Sequence, residues 1–156
     1  MEKIYEVQRI KQEVYETTEN RYVIKSPEDV IDHAYSLIGE DDREVFLVMV
    51  LNTKNEVVAV HRCHVGSLNA SIVHPREVFK SAILFNQAIE NNGASIIGVH
   101  QHPSGNPKKS QEDVHVCRRL VESGKILGIE LLDFCILGGK AEGRIKFTSF
   151  KEEGYI

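Results

Sequence analysis

The stretch ASIIGVHQHPSGNPKKSQED, residues 94–113, contains three structural signals in succession. Ala94 to Val99 form a short apolar run, which predicts a buried strand. Two prolines and a glycine follow between residues 103 and 107, and they exclude regular structure there. Ser110 then has the features of a helix N-cap, with acidic residues in the turn after it. The stretch therefore predicts a strand, a loop and a helix in that order.

Three helices are predicted in all, from start signals and apolar spacing. Ser26-Pro27-Glu28-Asp29 places a capping serine before a proline at the first helical position, with acids in the first turn. Glycines are expected to end the helices, because glycine readily adopts the conformation found after a helix C-terminus. The predicted helices run from Pro27 to Gly39, from Pro75 to about Asn91 before Gly93, and from Ser110, over an apolar stripe of Val114, Cys117, Leu120 and Val121, to Gly124.

The strands are predicted from apolar runs. Val45 to Leu51 contains no polar residue, which is typical of a central strand covered on both faces. Because strands and helices interleave, we expect an α/β or α+β fold class, with a mixed β-sheet flanked by helices. The remaining strands are predicted at 4–15, 57–65, 129–137 and 144–150, with turns at 52–55 and at Gly138-Gly139.

Composition predicts one globular domain in a reducing compartment. Of the 156 residues, 42% are apolar and 27% are charged, and no linker divides the chain. We therefore predict a single domain over residues 1–156, with residues 1–25 as an N-terminal extension or first strand. The three cysteines form no Cys-x-x-Cys pair and are expected to be reduced. Without a signal peptide or an apolar run of membrane-spanning length, we expect a soluble cytoplasmic protein with no membrane contact.

Two histidines and an aspartate have the spacing of a metal site. His100 and His102 lie two residues apart at the end of the predicted strand, where alternation places both imidazoles on one face. Asp113 lies in the first turn of the next helix and can approach them once the loop turns the chain back. Two imidazoles and a carboxylate suit zinc and leave a fourth position for water, which becomes a nucleophile near neutral pH. The pattern therefore predicts hydrolysis.

Ser110 and Asp113 also have a simpler interpretation. A serine followed three residues later by an acid is close to an ordinary capping box, in which the two side chains satisfy backbone N–H groups at a helix start. On their own, the two residues favour capping. Together with the histidine pair and the strand-loop-helix context, they favour metal binding. The two roles are compatible, because Ser110 can cap the helix while Asp113 binds metal.

The complete spacing resembles a known motif. His-x-His, seven residues, Ser, two residues and Asp is the JAMM motif of the MPN/JAB superfamily, and His100, His102, Ser110 and Asp113 match it in full. The likeness runs from about Ser26 to the end of the sequence. Segments that resemble the RadC branch in particular are HPSGNP at 102–107, VHPREV at 73–78, LGI at 127–129 and LD at 132–133.

This resemblance implies a JAB/MPN sandwich similar to that of cytidine deaminases, and it implies roles for single residues. The two histidines and Asp113 would bind Zn²⁺, and Ser110 would help to stabilise the tetrahedral oxyanion. A glutamate at the mouth of an early apolar strand would act as general base, and Glu44 matches that position. The simpler interpretation of Glu44 is the polar start of a strand. The residues alone do not choose among the nearby acids, which are Glu40, Asp42, Glu44 and Glu56.

Two departures from the family pattern are visible. Gln101 stands where RadC members usually have asparagine, and we expect this change to be tolerated because the side chain faces away from the histidines. The resemblance also implies that full-length RadC proteins contain a helix-hairpin-helix module before this domain, and residues 1–156 contain no such module. We therefore do not expect this domain by itself to show the DNA association that the family name implies.

The most favoured function is that of a zinc metallohydrolase acting on a peptide or isopeptide bond in a peptide or protein substrate. The alternative is a RadC-like, DNA-repair-associated protein or regulatory binding module with a non-catalytic metal site. The formal charge of −4 disfavours binding to nucleic acid. A metal-dependent nuclease is a third possibility, but a single site of two histidines and one aspartate lacks the paired metals typical of phosphodiester cleavage.

The other chemically notable residues are given structural roles. Metal binding by the histidines that flank Cys63 is disfavoured, because their spacing is odd and a fourth ligand is missing. The signature of zinc deaminases is absent. We expect exposed or capping positions for His33 and His115, strand positions for His61 and His64, a helix-entry role for His74, a core position for Cys117, and solvation of Lys108-Lys109.

Overall fold

One mixed sheet organises the part of the chain that the structure, a computed structural model, describes: residues 3–7, 15, 20–66, 73–85 and 93–156. The strand order is β1-β3-β2-β4-β5-β6, with β4 and β5 parallel and the other neighbours antiparallel. The strands are β1 (Tyr22–Val23), β2 (Val45–Asn52), β3 (Glu56–Val65), β4 (Gly93–Gln101), β5 (Glu130–Ala141) and β6 (Arg144–Ser149), and the helices are α1 (Pro27–Ile38), α2 (Pro75–Phe85) and α3 (Gln111–Leu127). The predicted α+β class with a mixed sheet is confirmed.

β2 lies inside the sheet, and its side chains contribute to two separate cores. All eight of its residues are buried. Phe46 and Val48 pack on the side covered by α2 and α3, whereas Leu47 and Met49 pack on the side covered by α1. Burial of one such side chain contributes about 1.5–3 kcal/mol. The apolar run predicted a strand covered on both faces, and this prediction is confirmed.

Serine capping boxes begin α1 and α3, which confirms both serines as the predicted N-caps. In each box the serine side chain accepts a hydrogen bond from the backbone of the aspartate three residues later, and the aspartate side chain accepts one from the serine backbone. Gly39 ends α1 as expected, although its φ of −63° is right-handed. No helix in the described part of the chain has the length and apolarity needed to cross a membrane.

The predicted end of α3 at Gly124 is wrong. The helix continues to Leu127 and ends at Gly128, whose φ of 69° is in the left-handed region that glycine adopts at low cost. Gly124 is needed because the chain folds back over it: Ile129 N–H donates to the Gly124 carbonyl at 3.0 Å, and the Ile129 carbonyl occupies the space of a side chain at 124. The buried stripe holds Val116, Cys117 and Leu120, while Val114 and Val121 are partly buried.

The predicted turn at Gly138-Gly139 is also wrong. Both glycines lie inside β5, and the turn to β6 falls at Glu142 and Gly143, where φ is 51° and 77°. The glycines allow a close approach of another backbone, since a Cβ added to Gly138 would lie 2.7 Å from the carbonyl oxygen of Gly105. Glycine inside a strand often marks such an approach.

The chain before α1 differs from the expectation of a strand over residues 4–15. Residues 4–7 have no regular structure and expose their large side chains, and residues 8–14 lie outside the described residues. A strand occurs instead at β1, which pairs with the start of β3. The expected continuation of α2 to Asn91 lies outside the described residues, and Gly93 begins β4 rather than ending the helix.

Candidate metal centre

His100, His102 and Asp113 converge where β4 meets the start of α3. His100 pairs with Phe46 on β2 and with Ile136 on β5, and His102 follows one residue after the strand ends. The loop then returns the chain so that the first turn of α3 places Asp113 against both imidazoles. One ligand atom from each residue lies within 4.8 Å of the other two, and no other such group of metal-ligating side chains occurs in the described residues.

The segment 103–109, which we call the metal loop, is docked on the β5–β6 hairpin. Gly139 N–H donates to the Gly105 carbonyl at 3.0 Å. The hydroxyl of Thr148 on β6 donates to the Pro107 carbonyl at 2.7 Å. These contacts fix the path of the chain between the second histidine and α3, which is why the two glycines of β5 matter to the site.

His102 is oriented by the metal loop. Its Nδ1 lies 2.9 Å from the carbonyl oxygen of Asn106, and because a carbonyl only accepts, this nitrogen carries the proton. In the neutral imidazole the other ring nitrogen, Nε2, then presents a lone pair, and it lies 3.6 Å from Asp113 Oδ2. Histidines that bind metals usually donate their second nitrogen to such an oxygen, which fixes the tautomer.

His100 has the same arrangement in a more buried position. Its Nδ1 lies 2.7 Å from Asp113 Oδ1, so that this nitrogen donates to the carboxylate. Its Nε2 is buried and has no hydrogen-bond partner among the described residues. A buried nitrogen with an unused lone pair is costly unless something satisfies it. Both imidazoles therefore suit a cation.

Asp113 is an ionised carboxylate in a buried position, with 4% of its surface exposed. Ser110 donates to its Oδ2 from the backbone at 2.7 Å and from the hydroxyl at 2.8 Å. Burial raises the pKa of Asp113, but the hydrogen bonds from His100 and Ser110 outweigh burial and hold the pKa below its usual value. The Ser110 hydroxyl also accepts from Asp113 N–H at 3.1 Å, and its role at an oxyanion stays a prediction.

Glu44 directly precedes β2 and lines the same cleft as the two histidines. It lies two residues before Phe46, the cross-strand partner of His100, so alternation places all three on one face of the sheet. Its carbonyl accepts Gly66 N–H at 2.8 Å, which ties it to the end of β3. The position agrees with the one implied by the resemblance, and the role as general base stays a prediction.

The other acidic residues near β2 lie away from the cleft. Glu40 and Asp42 are exposed. Glu56 lies at the far end of the β2–β3 hairpin, where it accepts a hydrogen bond from Asn52 at 2.6 Å. Of the four carboxylates that the sequence left open, Glu44 is the one that lines the cleft.

Comparisons with known proteins identify the family. A profile described as RadC-like JAB domain matches residues 24–155. The chain belongs to the RadC-like JAB domain family. Similar proteins include UPF0758 proteins of Bacillus pumilus (strain SAFR-032), 46% identical over 142 residues, and of Geobacillus sp. (strain WCH70), 50% identical over 136 residues. UPF0758 protein YsxA of Bacillus subtilis (strain 168) is 48% identical over 142 residues. These matches cover 87–91% of this chain but 55–58% of the relatives' own length.

The cleft of this RadC-like domain has a volume of about 200 Å³ and both charged and apolar walls. Several of its lining residues were not among the predicted site residues. Phe134 could have been found, because it lies two residues before Ile136, the partner of His100, and therefore on the same face. No comparable sequence pattern predicts that Glu112 and Val73 line the cleft. Besides His100, His102 and Asp113, the residues that line the cleft are Glu44, Phe46, Val73, Ser110, Glu112, Val116 and Phe134.

Gln101 and His74 have the structural positions that were predicted. Gln101 is buried on the face opposite the histidines, and its Nε2 donates to the Asp41 carbonyl at 2.9 Å. His74 precedes α2, where its Nδ1 accepts Arg76 N–H at 3.1 Å. It therefore fixes the entry to that helix and does not line the cleft.

The remaining histidines and cysteines of the RadC-like domain form no second metal cluster within the described residues. His115 is exposed, as expected, but His33 is half-buried and stacks on the Tyr22 ring with centroids 4.8 Å apart. Cys117 is buried in the core as predicted, and burial raises its pKa to about 12 and that of Cys63 to about 11. Both thiols are therefore protonated and unreactive at neutral pH.

The expectation that Lys108 and Lys109 are both solvated is wrong for Lys109. Its Nζ forms an ion pair with Glu153 and lies 5.6 Å from the centre of the Tyr155 ring. Both partners belong to the C-terminal segment, and no sequence pattern predicts that this segment lies beside the metal loop. Lys108 is exposed.

Proposed function

We propose that this domain is a zinc-dependent metallohydrolase that cleaves a peptide or isopeptide bond. The observation that carries the proposal is the convergence of His100, His102 and Asp113 in a cleft that Glu44 also lines. Membership of the RadC-like JAB family supports it. A domain that only bound a partner would need neither the unused imidazole nitrogens nor a carboxylate on the same wall.

The donor set fits zinc. Two imidazole nitrogens and one carboxylate oxygen are ligands of hydrolytic zinc sites, which keep a fourth position open. The buried Nε2 of His100, which has no hydrogen-bond partner among the described residues, is the atom that a cation would satisfy. When bound, the metal supplies Lewis-acid activation of a water molecule near neutral pH.

The chain itself supplies proton transfer and positioning. The Glu44 carboxylate can accept a proton from water and later pass it to the leaving amine, because it lies on the cleft wall that both histidines share. Ser110 holds the Asp113 carboxylate by two hydrogen bonds. Its hydroxyl is the group that we expect to donate to the developing oxyanion.

A peptide or protein substrate suits the cleft better than a nucleic acid. Glu44, Glu112 and Asp113 carry three negative charges in the cleft, one more than a bound Zn²⁺ would neutralise, and the whole chain carries −4, so that binding of a polyanion is disfavoured. Phe46 and Phe134 line the same cleft but are almost fully buried, so the groups that a substrate would meet there are mainly polar. The substrate is therefore expected to present an amide bond, with no negative charge close to it.

The competing function is a regulatory or DNA-repair-associated binding module with a metal that is not catalytic. One observation favours it, namely that the Ser110 hydroxyl already donates to the Asp113 carboxylate and accepts from the Asp113 backbone. Capping of α3 and positioning of the Asp113 carboxylate are enough to explain these hydrogen bonds of the Ser110 hydroxyl, without a catalytic role. Such a domain would bind zinc and cleave nothing.

The deciding experiment combines elemental analysis with cleavage of a mixed peptide and isopeptide library, read by mass spectrometry. We expect about one zinc per chain in the wild type and none in His102→Ala. Glu44→Gln should retain zinc and lose cleavage, while the matched control Glu40→Gln, which changes an exposed carboxylate outside the cleft, should keep both.

A folded wild type that takes up no zinc would contradict the proposal, as would Glu44→Gln with wild-type cleavage. Zinc binding without cleavage of any library member, together with salt-sensitive DNA binding in a gel-shift titration, would favour the competing function, because phosphate contacts weaken steeply with salt.

A further inference from the structure

β6 forms an edge of the sheet, and no further strand pairs with it among the described residues. An edge strand presents backbone N–H and C=O groups that another extended chain can pair with. Beside β6 lies an open groove of about 620 Å³, which extends from the β5–β6 turn to Pro107 of the metal loop. It shares no lining residue with the cleft of the candidate metal centre.

The groove is positively charged although the chain as a whole is acidic. Arg144 and Lys146 line it, both are exposed, and neither forms an ion pair with a described carboxylate. Lys108 is exposed next to Pro107 at one end. Glu142 is the one acidic residue among the described residues that line the groove. The surface therefore favours an anionic occupant.

The side chains of β6 alternate in chemistry as well as in direction. Arg144 and Lys146 are exposed, while Ile145 and Phe147 are half-buried and pack against the core on the α1 side. A chain added along β6 would continue this alternation, with one set of side chains beside the two cations and the other beside the two apolar residues.

We propose that this groove binds an extended acidic peptide segment of a partner protein, added as a strand along β6. The strand edge supplies backbone hydrogen bonds, and the cations select acidic side chains at alternate positions, as in other strand-addition complexes. Cations on an edge strand also deter aggregation. Protection against aggregation alone would require no groove, and it would not lead to binding of an acidic peptide.

The test is fluorescence anisotropy with the full chain and a labelled peptide of alternating glutamate and valine. The double variant Arg144→Glu/Lys146→Glu should weaken binding by about tenfold or more, because both attractive charges become repulsive. The matched control Lys125→Glu, which reverses an exposed charge on α3, should change affinity less than about twofold. Two further peptides are N-methylated either at the glutamates or at the valines, and one of the two should lose binding, because alternate N–H groups of a strand face the same neighbour.

Several results would overturn the proposal. They are no binding of the acidic peptide, equal binding by the double variant, equal binding of a matching lysine-valine peptide, and binding that survives N-methylation of either alternate set. Binding of a single-stranded oligonucleotide in place of the peptide would assign the groove to nucleic acid and would also overturn it.

Discussion

The two serine capping boxes of this domain have the same local geometry. At the start of α1, Ser26 N–H donates to Asp29 Oδ2 at 3.0 Å, and Asp29 N–H donates to Ser26 Oγ at 3.3 Å. At the start of α3, the corresponding distances between Ser110 and Asp113 are 2.7 and 3.1 Å. The pattern Ser-x-x-Asp therefore begins a helix in both places.

The surroundings of the two aspartates differ. Asp29 is half-buried, and its Oδ2 accepts a further backbone N–H from Lys25 at 2.8 Å. Asp113 is buried, and its Oδ1 faces His100 at 2.7 Å. A capping residue can therefore become a metal ligand through neighbours supplied by another element, here β4, without any change in its own helix.

The largest expected effect is a loss of zinc affinity on substitution in the capping box of α3 but not in that of α1. Asp113→Asn keeps a capping oxygen but removes the anionic ligand, so we expect zinc affinity to fall by at least about 100-fold, since losing outer partners alone costs about 10–100-fold. Asp29→Asn makes the same change in the other box and should leave affinity unchanged. Competition with a coloured chelator measures both. Equal zinc affinity in the two variants would mean that Asp113 only caps.

The second prediction concerns the metal loop, which has no counterpart at α1. A Cβ on Gly138 would lie 2.7 Å from the Gly105 carbonyl oxygen, so Gly138→Ala should displace the loop and weaken zinc binding by about tenfold. Gly128→Ala is the control, because its Cβ meets nothing within 4 Å and its φ of 69° costs stability far from the site. Both variants should be less stable, and only the first should bind zinc more weakly in the chelator assay.

The third prediction compares the two serines. Ser26→Ala and Ser110→Ala each remove a cap, and each should lower the free energy of unfolding in urea by about 1 kcal/mol when metal is chelated. Ser110→Ala should also weaken zinc binding several-fold, because Ser110 holds the Asp113 carboxylate by its hydroxyl at 2.8 Å. If the two variants bind zinc alike, Ser110 does not position the ligand.

The smallest expected effect is on stability in acid. The pKa of Asp113 in the folded chain is below its ordinary value of 3.8, so its carboxylate stabilises the metal-free fold above that pH, and this contribution is lost as the pH falls through the folded-state pKa. We measure the free energy of unfolding in urea, with a chelator present, above and below pH 3.8. It should fall less with decreasing pH for Asp113→Asn than for the wild type. An equal fall in the free energy of unfolding for the two proteins would contradict the hydrogen bonding described for this carboxylate.

Features encoded by neighbouring residues could be predicted from the sequence, and features that depend on a distant segment could not. The capping serines and the central strand have local signals, and the histidine pair needs only strand alternation. Gly124 and Gly138 were misinterpreted because each accommodates a backbone from elsewhere in the chain. Lys109 lies 44 residues from its partner Glu153, a distance that no local pattern spans. Glu44 could be selected only by resemblance, because the histidines and the aspartate of its cleft lie on β4, directly after β4 and at the start of α3.

X-ray absorption at the zinc edge, on protein loaded with one equivalent of the metal, shows directly whether His100, His102 and Asp113 bind it together. We expect two imidazole nitrogens and further oxygen ligands at about 2.0–2.2 Å, with no sulfur, and loss of this spectrum in Asp113→Asn but not in Asp29→Asn. A sulfur ligand at about 2.3 Å, or the same spectrum in both variants, would contradict it.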